Sequence, residues 1–109
     1  MPKVYVVNQG FHDFSEAEKH GRLVFMTEGY QPKFSVATAL RRFQFCMQDS
    51  NEEDWILLTG LSVLNCLACS VFALKHNRLN LLLFDGKGYI TRTLIIDQDK
   101  ENADGMETM

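Results

Sequence analysis

The junction Leu58-Thr59-Gly60-Leu61-Ser62-Val63 has the residue types best suited to binding a ligand. An apolar run ends at Gly60 and a helical pattern follows at once, which predicts a strand that turns directly into a helix. The first N–H groups of a helix lack intrahelical partners, so they favour a phosphate or carboxylate, and Thr59 and Ser62 would add hydroxyl groups. Asn8 ends the first predicted strand and would lie at the same sheet edge if the two strands are parallel. An ordinary structural turn is the alternative, because every strand-to-helix turn shares this geometry.

The cysteines and histidines favour structural roles. Cys66 and Cys69 have redox-motif spacing, but they lie inside an apolar helical stretch without the strand-to-helix turn of a redox site. Free cysteines are often buried, so packing is the simpler interpretation. The three histidines are too scattered for a metal motif, and neither a Gly-x-Ser-x-Gly elbow nor a phosphate loop is present. We therefore predict no metal, no cofactor and no catalytic residue.

Hydrophobic periodicity predicts the elements that position the junction. The apolar positions Val36, Leu40, Phe43 and Met47 follow helical spacing, whereas the flanking segments have the β-branched and apolar runs of strands. The predicted strands are 3–8, 23–27, 55–59, 79–84 and 89–96, and the predicted helices are 15–20, 35–48 and 62–76. This order predicts an α/β domain: a single-layer mixed sheet of about five strands, flanked by two main helices, with a C-terminal β-hairpin.

The predicted helix from Ser62 to His76 is apolar on almost every side. Such a helix is either central in its domain or covered by a partner. It is shorter than the about 20 apolar residues of a membrane span and is interrupted by Asn65 and Ser70. We therefore predict no membrane insertion and a homodimer through Ser62–His76.

Charge is uneven along the 109 residues, whose net charge is −3. Residues 97–109 contain five acidic residues and one lysine, which leaves residues 1–96 close to neutral. We predict one domain over residues 1–96 and an acidic, disordered tail over 97–109. A near-neutral body argues against binding to duplex DNA, which needs clustered lysine and arginine.

Three cysteines are an odd number and no secretory signal opens the chain, so we expect a cytoplasmic protein.

Three short pieces of the chain resemble one known family. The first strand, Lys3 to Asn8, ends in asparagine; Gly60 opens the long helix; and Asn77-Arg78 precedes the alternating strand at Leu79-Asn80-Leu81. These pieces are similar to segments of the viral ring nucleases, small dimeric inhibitors of type III CRISPR immunity from archaeal viruses, phages and some bacteria. Over most of residues 3–96, the order of elements is similar as well.

The resemblance implies a nucleotide ligand. Ring nucleases bind cyclic tetra-adenylate across the dimer and cleave it, and by position Asn8 and Arg78 would be ligand contacts. The catalytic histidine of the family follows the glycine, where this chain has Leu61. The resemblance therefore implies binding without cleavage, unless His12 substitutes for the missing histidine.

We predict a non-catalytic phage or mobile-element accessory protein that counters host defence, in the manner of an anti-CRISPR protein, in the host cytoplasm. It would sequester a nucleotide signal, such as a cyclic oligonucleotide, at a site formed by Asn8, Thr59, Gly60, Ser62 and Arg78.

Two other functions remain open. The first is an inhibitor that binds a host defence protein without any small ligand. Aromatic residues suited to such an interface, unless they form the core, are Phe11, Phe14, Tyr30, Phe34 and Phe45. The second is a ring nuclease or another phosphodiesterase.

Overall fold

The computed structural model describes residues 1–10, 12–31 and 35–96 and has a five-stranded sheet. Strands β1 to β4 are parallel, β5 is antiparallel to β4, and the order across the sheet is β2-β1-β3-β4-β5. The elements are β1 (Lys3–Val6), a 3-10 helix (Ser15–His20), β2 (Arg22–Phe25), α1 (Val36–Cys46), β3 (Trp55–Leu57), α2 (Ser62–His76), β4 (Arg78–Phe84) and β5 (Tyr89–Ile95). The predicted α/β fold, with its mixed sheet, two main helices and C-terminal hairpin, is confirmed. The predicted acidic tail lies outside the described residues, so its disorder stays a prediction.

Helices α1 and α2 cover one face of the sheet. Side chains alternate between the two faces of a strand, so Tyr5 and Val7 share one face. On this face Tyr5 belongs to a core cluster with Phe43 of α1 and Phe72 of α2, all three almost fully buried. The other buried members are Val7, Met26, Ala39, Met47, Ile56, Leu64 and Ala68. This cluster holds the helical layer against the sheet.

The opposite face has a thinner cover. Val4 and Val6 of β1 pack there against Ala17 of the 3-10 helix and against Phe14, the residue before that helix. The side chain before this helix does not cap it. Its N-cap position is Phe14, and the Asp13 carboxylate accepts a hydrogen bond from the Ser15 N–H at 2.9 Å.

Two buried polar side chains, Asp54 and Asn80, join three segments at the amino edge of the sheet, where β1 and β3 begin. Asp54 is 1% exposed. Its Oδ1 accepts from the Lys3 N–H at 2.9 Å, and its Oδ2 accepts from the Asn51 N–H at 2.8 Å. The Asn80 amide of β4 donates to the backbone oxygens of Asp54 (2.8 Å) and Glu52 (2.6 Å). These bonds connect β1 and β4 to the loop that leads into β3.

The apolar character of α2 is explained in part by its place in the fold. Leu64, Ala68 and Phe72 are buried in the core, and Val71 packs against it half-buried. Leu74, however, is 86% exposed. Among the described residues, no helix is long and apolar enough to cross a membrane.

The exposed side of α2 still predicts a homodimer. We expect a mass of about 25 kDa, twice the 12.5 kDa of one chain, by light scattering at micromolar concentration. Leu74→Lys should return a monomer, because a lysine buried without a partner opposes association. The matched control Leu94→Lys, at an exposed leucine of β5, should leave the dimer intact. A monomeric wild-type protein contradicts the prediction.

Candidate ligand-binding site at the carboxyl edge of the sheet

The four parallel strands bring their C-terminal ends to one edge of the sheet, here called the carboxyl edge. The chain runs from β1 outward to β2 and then crosses to β3 on the other side of β1. In open α/β sheets, ligands bind beside the strand ends where the order reverses in this way. The ends of β1 and β3 are thus the expected position of a site.

Thr59 lies at this edge, two residues beyond the end of β3. The Asn65 side chain of α2 holds its backbone: Nδ2 donates to the Thr59 oxygen at 2.7 Å, and Oδ1 accepts from the Thr59 N–H at 3.2 Å. The Thr59 hydroxyl oxygen is buried and has no hydrogen-bond partner among the described residues. A buried polar group without a partner costs roughly 1–3 kcal/mol. A hydrogen bond to this hydroxyl group would remove that cost.

The N-terminus of α2 follows directly. Leu61 occupies the N-cap position, offers no side-chain cap, and no acidic residue lies in the first turn. Gly60 and Ser62 are exposed on either side of it. The free N–H groups of the first turn therefore remain open to an anion.

A cavity of about 210 Å³ opens beside this turn. Two further segments complete its wall: the loop before the 3-10 helix and the two ends of the β4–β5 hairpin. The lining residues are His12, Asp13, Phe14, Leu57, Leu58, Thr59, Gly60, Phe84 and Tyr89. The cavity thus combines aromatic rings with a few polar groups, as small-molecule sites do.

Asn8 lies beside Thr59 but has a structural role. The β1–β3 register pairs Val6 with Leu57, so Asn8 and Thr59 occupy equivalent positions two residues further on. The Asn8 amide is buried and donates to the Thr27 hydroxyl at 2.8 Å and to the Gly29 oxygen at 3.0 Å. Asn8 therefore holds the turn after β2 and does not line the cavity.

Arg78 does not lie at the carboxyl edge. It is the first residue of β4, whereas Leu82, four residues later, pairs with Leu57 near the end of β3. At about 3.3 Å per residue, Arg78 is about 13 Å from that level, toward the amino edge. Its Nε donates to the Asn80 side-chain oxygen at 3.3 Å. Of the five predicted residues, the structure brings together Thr59, Gly60 and Ser62, with Asn8 behind them.

The predicted ligand site did not include the four outer wall residues His12, Asp13, Phe84 and Tyr89, although His12 was considered as a substitute for the missing histidine. The hydrogen bond from Ser15 holds the pKa of the exposed Asp13 carboxyl below its usual value. Burial, and then the Asp13 charge, raises the pKa of Tyr89. The sequence contained part of the information needed to place Phe84 and Tyr89. A hairpin that follows a parallel strand has its turn, and the residues on either side of that turn, at the carboxyl edge of the sheet.

Neither a metal cluster nor an activated thiol at Cys46 or Cys69 is found in the part of the chain that is described. No group of three or more His, Cys, Asp or Glu side chains there could hold a metal ion. Burial raises the pKa of the Cys69 thiol to about 11 and also raises the pKa of Cys46. Thiols with raised pKa values are weak nucleophiles at neutral pH.

The unpartnered hydroxyl group of Thr59 leads to a prediction about the stability of two threonine variants. Thr59→Val should raise the free energy of unfolding by about 1 kcal/mol, because it removes an unsatisfied buried hydroxyl group without changing the volume. Thr27→Val should lower it by about 1–3 kcal/mol, because the Thr27 hydroxyl donates to the Val7 oxygen and accepts from Asn8, both at 2.8 Å. Urea unfolding measures both. Equal losses in the two variants would mean that Thr59 has a partner in solution.

His76, at the end of α2, should make the stability of the fold depend on pH. Its Nε2 lies 2.8 Å from the Ser50 hydroxyl oxygen, and its ring packs on Phe72. Burial, then the Lys75 charge, lowers the pKa of His76 below its usual value of 6.5. The unfolded chain therefore binds the proton more readily than the folded one, so stability falls as the pH falls below about 6.5 toward the folded pKa.

His76→Gln should weaken the decrease in unfolding free energy between about pH 7 and pH 5. The matched variant His12→Gln, at an exposed histidine, should retain it. Urea unfolding at both pH values tests this, and parallel pH profiles for wild type and His76→Gln would contradict it.

Comparison with known proteins identifies the family. No curated protein and no solved structure matches the chain significantly. A family model described as Phage Pam3 gp32-like protein matches residues 2–94. This match supports the predicted phage origin and gives no support to the more specific resemblance to ring nucleases. Because it covers most of the 109 residues, the chain belongs to the Phage Pam3 gp32-like protein family.

Proposed function

We propose that this phage protein is a non-catalytic accessory protein that binds a nucleotide signal at the Gly60 turn and counters host defence by sequestering it. The observation that carries the proposal is the buried Thr59 hydroxyl group, which has no partner among the described residues. Thr59 itself lines a cavity at the point where the strand order reverses. Leaving such a group unpaired lowers stability, and a ligand that bonds to it would compensate.

The N-terminus of α2 is the phosphate end of the proposed site. Neither lysine nor arginine is among the described residues that line the cavity. An anion would therefore be held by uncharged donors: the first N–H groups of α2 and the hydroxyl groups of Thr59 and Ser62. Arg78 is too far along β4 to join them, so the site relies on hydrogen bonds rather than on a cation.

Leu61 supports sequestration without cleavage. This side chain stands directly after Gly60 and has no group that could transfer a proton. His12 and Asp13 line the same cavity, however, and both can exchange protons. Cleavage must therefore be measured, and a cleaved ligand would turn the proposal into that of a nuclease with His12 as its base.

A variant pair tests the phosphate end. Ser62→Glu should abolish nucleotide binding, because its carboxylate repels a phosphate at the helix N-terminus. The same substitution should stabilise the free protein by about 0.3–1 kcal/mol through the helix dipole, so lost binding could not be attributed to unfolding. The matched control Ser70→Glu, at an exposed serine in the middle of α2, should bind as the wild type does.

Thermal shift with mononucleotides, cyclic and linear oligonucleotides, followed by calorimetry and mass spectrometry, provides the measurement. A ligand at 100 times its Kd adds about 2.7 kcal/mol, a shift of several degrees for a domain of this size. A shift with an intact ligand supports sequestration. No shift with any nucleotide, or equal binding by both serine variants, contradicts the proposed site.

Inhibition through a protein partner is the second candidate function. Exposed apolar side chains on the helical layer favour it: Phe45 of α1 is 70% exposed, and Leu74 of α2 is more exposed still. Phe14 belongs to the core, so it is not available for an interface, and Phe11 and Phe34 lie outside the described residues. If no nucleotide binds, a pull-down from host lysate with wild type and Phe45→Ala tests this alternative, and equal capture by both proteins would exclude Phe45 from the interface.

A further inference from the structure

We infer that the cavity at the carboxyl edge is a pocket for a nucleobase, in which Phe84 stacks on the base, Tyr89 packs beside it, and the Asp13 carboxylate accepts hydrogen bonds from the edge of the base. The base that fits best is guanine. This inference rests on the proposed function, because it specifies the class of nucleotide that the same site would bind.

The aromatic wall comes from the two ends of the β4–β5 hairpin. Phe84 ends β4, Tyr89 begins β5, and the two residues pair directly in the antiparallel register. Their ring centroids are 5.3 Å apart, with the planes inclined by 50°. Both rings line the cavity, yet Phe84 is 58% exposed. A ring left largely in water gains stability when a flat, apolar surface covers it, and stacking of a base on an aromatic side chain contributes about 1–3 kcal/mol.

At Asp13 the pocket offers a group that only accepts hydrogen bonds. Asp13 Oδ1 accepts from the Ser15 N–H at 2.9 Å, which orients the carboxylate and keeps it ionised. An ionised carboxylate is an acceptor only, with about four lone-pair sites, so several remain free for a ligand. Guanine presents two adjacent N–H donors on its Watson–Crick edge, whereas adenine presents one amino group beside a ring acceptor. The carboxylate therefore favours guanine.

Charge sets the orientation of the nucleotide. The Asp13 carboxylate and the turn at Gly60 line the same cavity. Phosphate is repelled by the carboxylate and stabilised by the free N–H groups of α2, so the base should point toward Asp13 and the phosphate toward Gly60.

The size of the cavity limits the part of the ligand that enters. Its volume is about 210 Å³, below the roughly 300–1,000 Å³ of pockets that enclose a drug-sized molecule. One base with part of its ribose fits, and a whole oligonucleotide does not. Any further nucleotides of a longer ligand would lie outside the cavity.

Calorimetry with GMP, AMP, guanosine and ribose 5-phosphate tests this inference. We expect GMP to bind at least tenfold more tightly than ribose 5-phosphate and more tightly than AMP. Phe84→Ala should weaken GMP binding at least tenfold without changing the affinity for ribose 5-phosphate, because only the base meets the ring. The control Phe45→Ala, at an exposed phenylalanine on α1, should bind GMP as the wild type does.

Asp13→Asn tests the hydrogen-bonding edge. The asparagine oxygen can still accept from Ser15, so the fold should be kept, while the carboxylate is lost. GMP binding should weaken at least tenfold and the preference for GMP over AMP should disappear. The control Glu16→Gln, which removes a nearby exposed carboxylate, should preserve that preference.

The outcomes separate the two proposals. If ribose 5-phosphate binds as tightly as GMP and Phe84→Ala has no effect, the base pocket is wrong although the phosphate site stands. If guanosine binds and Ser62→Glu leaves GMP binding unchanged, the base pocket stands and the phosphate end is wrong. If none of the four compounds binds, the base pocket is wrong, and if no oligonucleotide shifts the melting temperature either, the phosphate site is wrong as well.

Discussion

The buried Asp54 carboxylate is the interaction on which the arrangement of the sheet depends. It accepts hydrogen bonds from the first residue of β1 and from the loop before β3, so both parallel strands start from one anchored point. The register that follows pairs Val4 with Trp55 and Val6 with Leu57. A slip of one residue would move every side chain of β1 to the wrong face. The same register sets Asn8 beside Thr59 at the far end of the strands.

At that far end, two neighbouring polar residues differ in their hydrogen bonding. The amide of Asn8 is fully engaged with Thr27 and Gly29, and it stabilises the turn after β2. The hydroxyl group of Thr59 is also buried, but it has no partner in the part of the chain that the structure describes. A protein that gained nothing from this group would be more stable with valine in its place. The contrast between the two residues is the physical basis of the proposed ligand site.

The candidate site also depends on segments that are far apart in the chain. The loop before the 3-10 helix contributes a carboxylate and an imidazole, the turn after β3 contributes a hydroxyl group and a helix N-terminus, and the hairpin contributes two rings. Membership of the Phage Pam3 gp32-like protein family is consistent with an accessory role in infection. Neither the family nor the fold assigns a ligand, because sheets of this kind support many functions. The chemistry of the cavity wall carries that part of the argument.

The sequence alone determined the elements and their order, because helix and strand formation follow local periodicity. The spacing of Phe43 and Met47 predicted the buried face of α1, and the apolar run before Gly60 predicted β3 and its turn into α2. Only the tertiary structure decided which strand ends meet. Arg78 follows α2 in the chain and was expected at the Gly60 turn, but in a parallel sheet the start of β4 lies at the edge opposite the end of β3. The fold likewise engaged Asn8 in hydrogen bonds and brought Asp13 and Phe84 to the cavity, because strand order and register arise from contacts between residues that are distant in sequence.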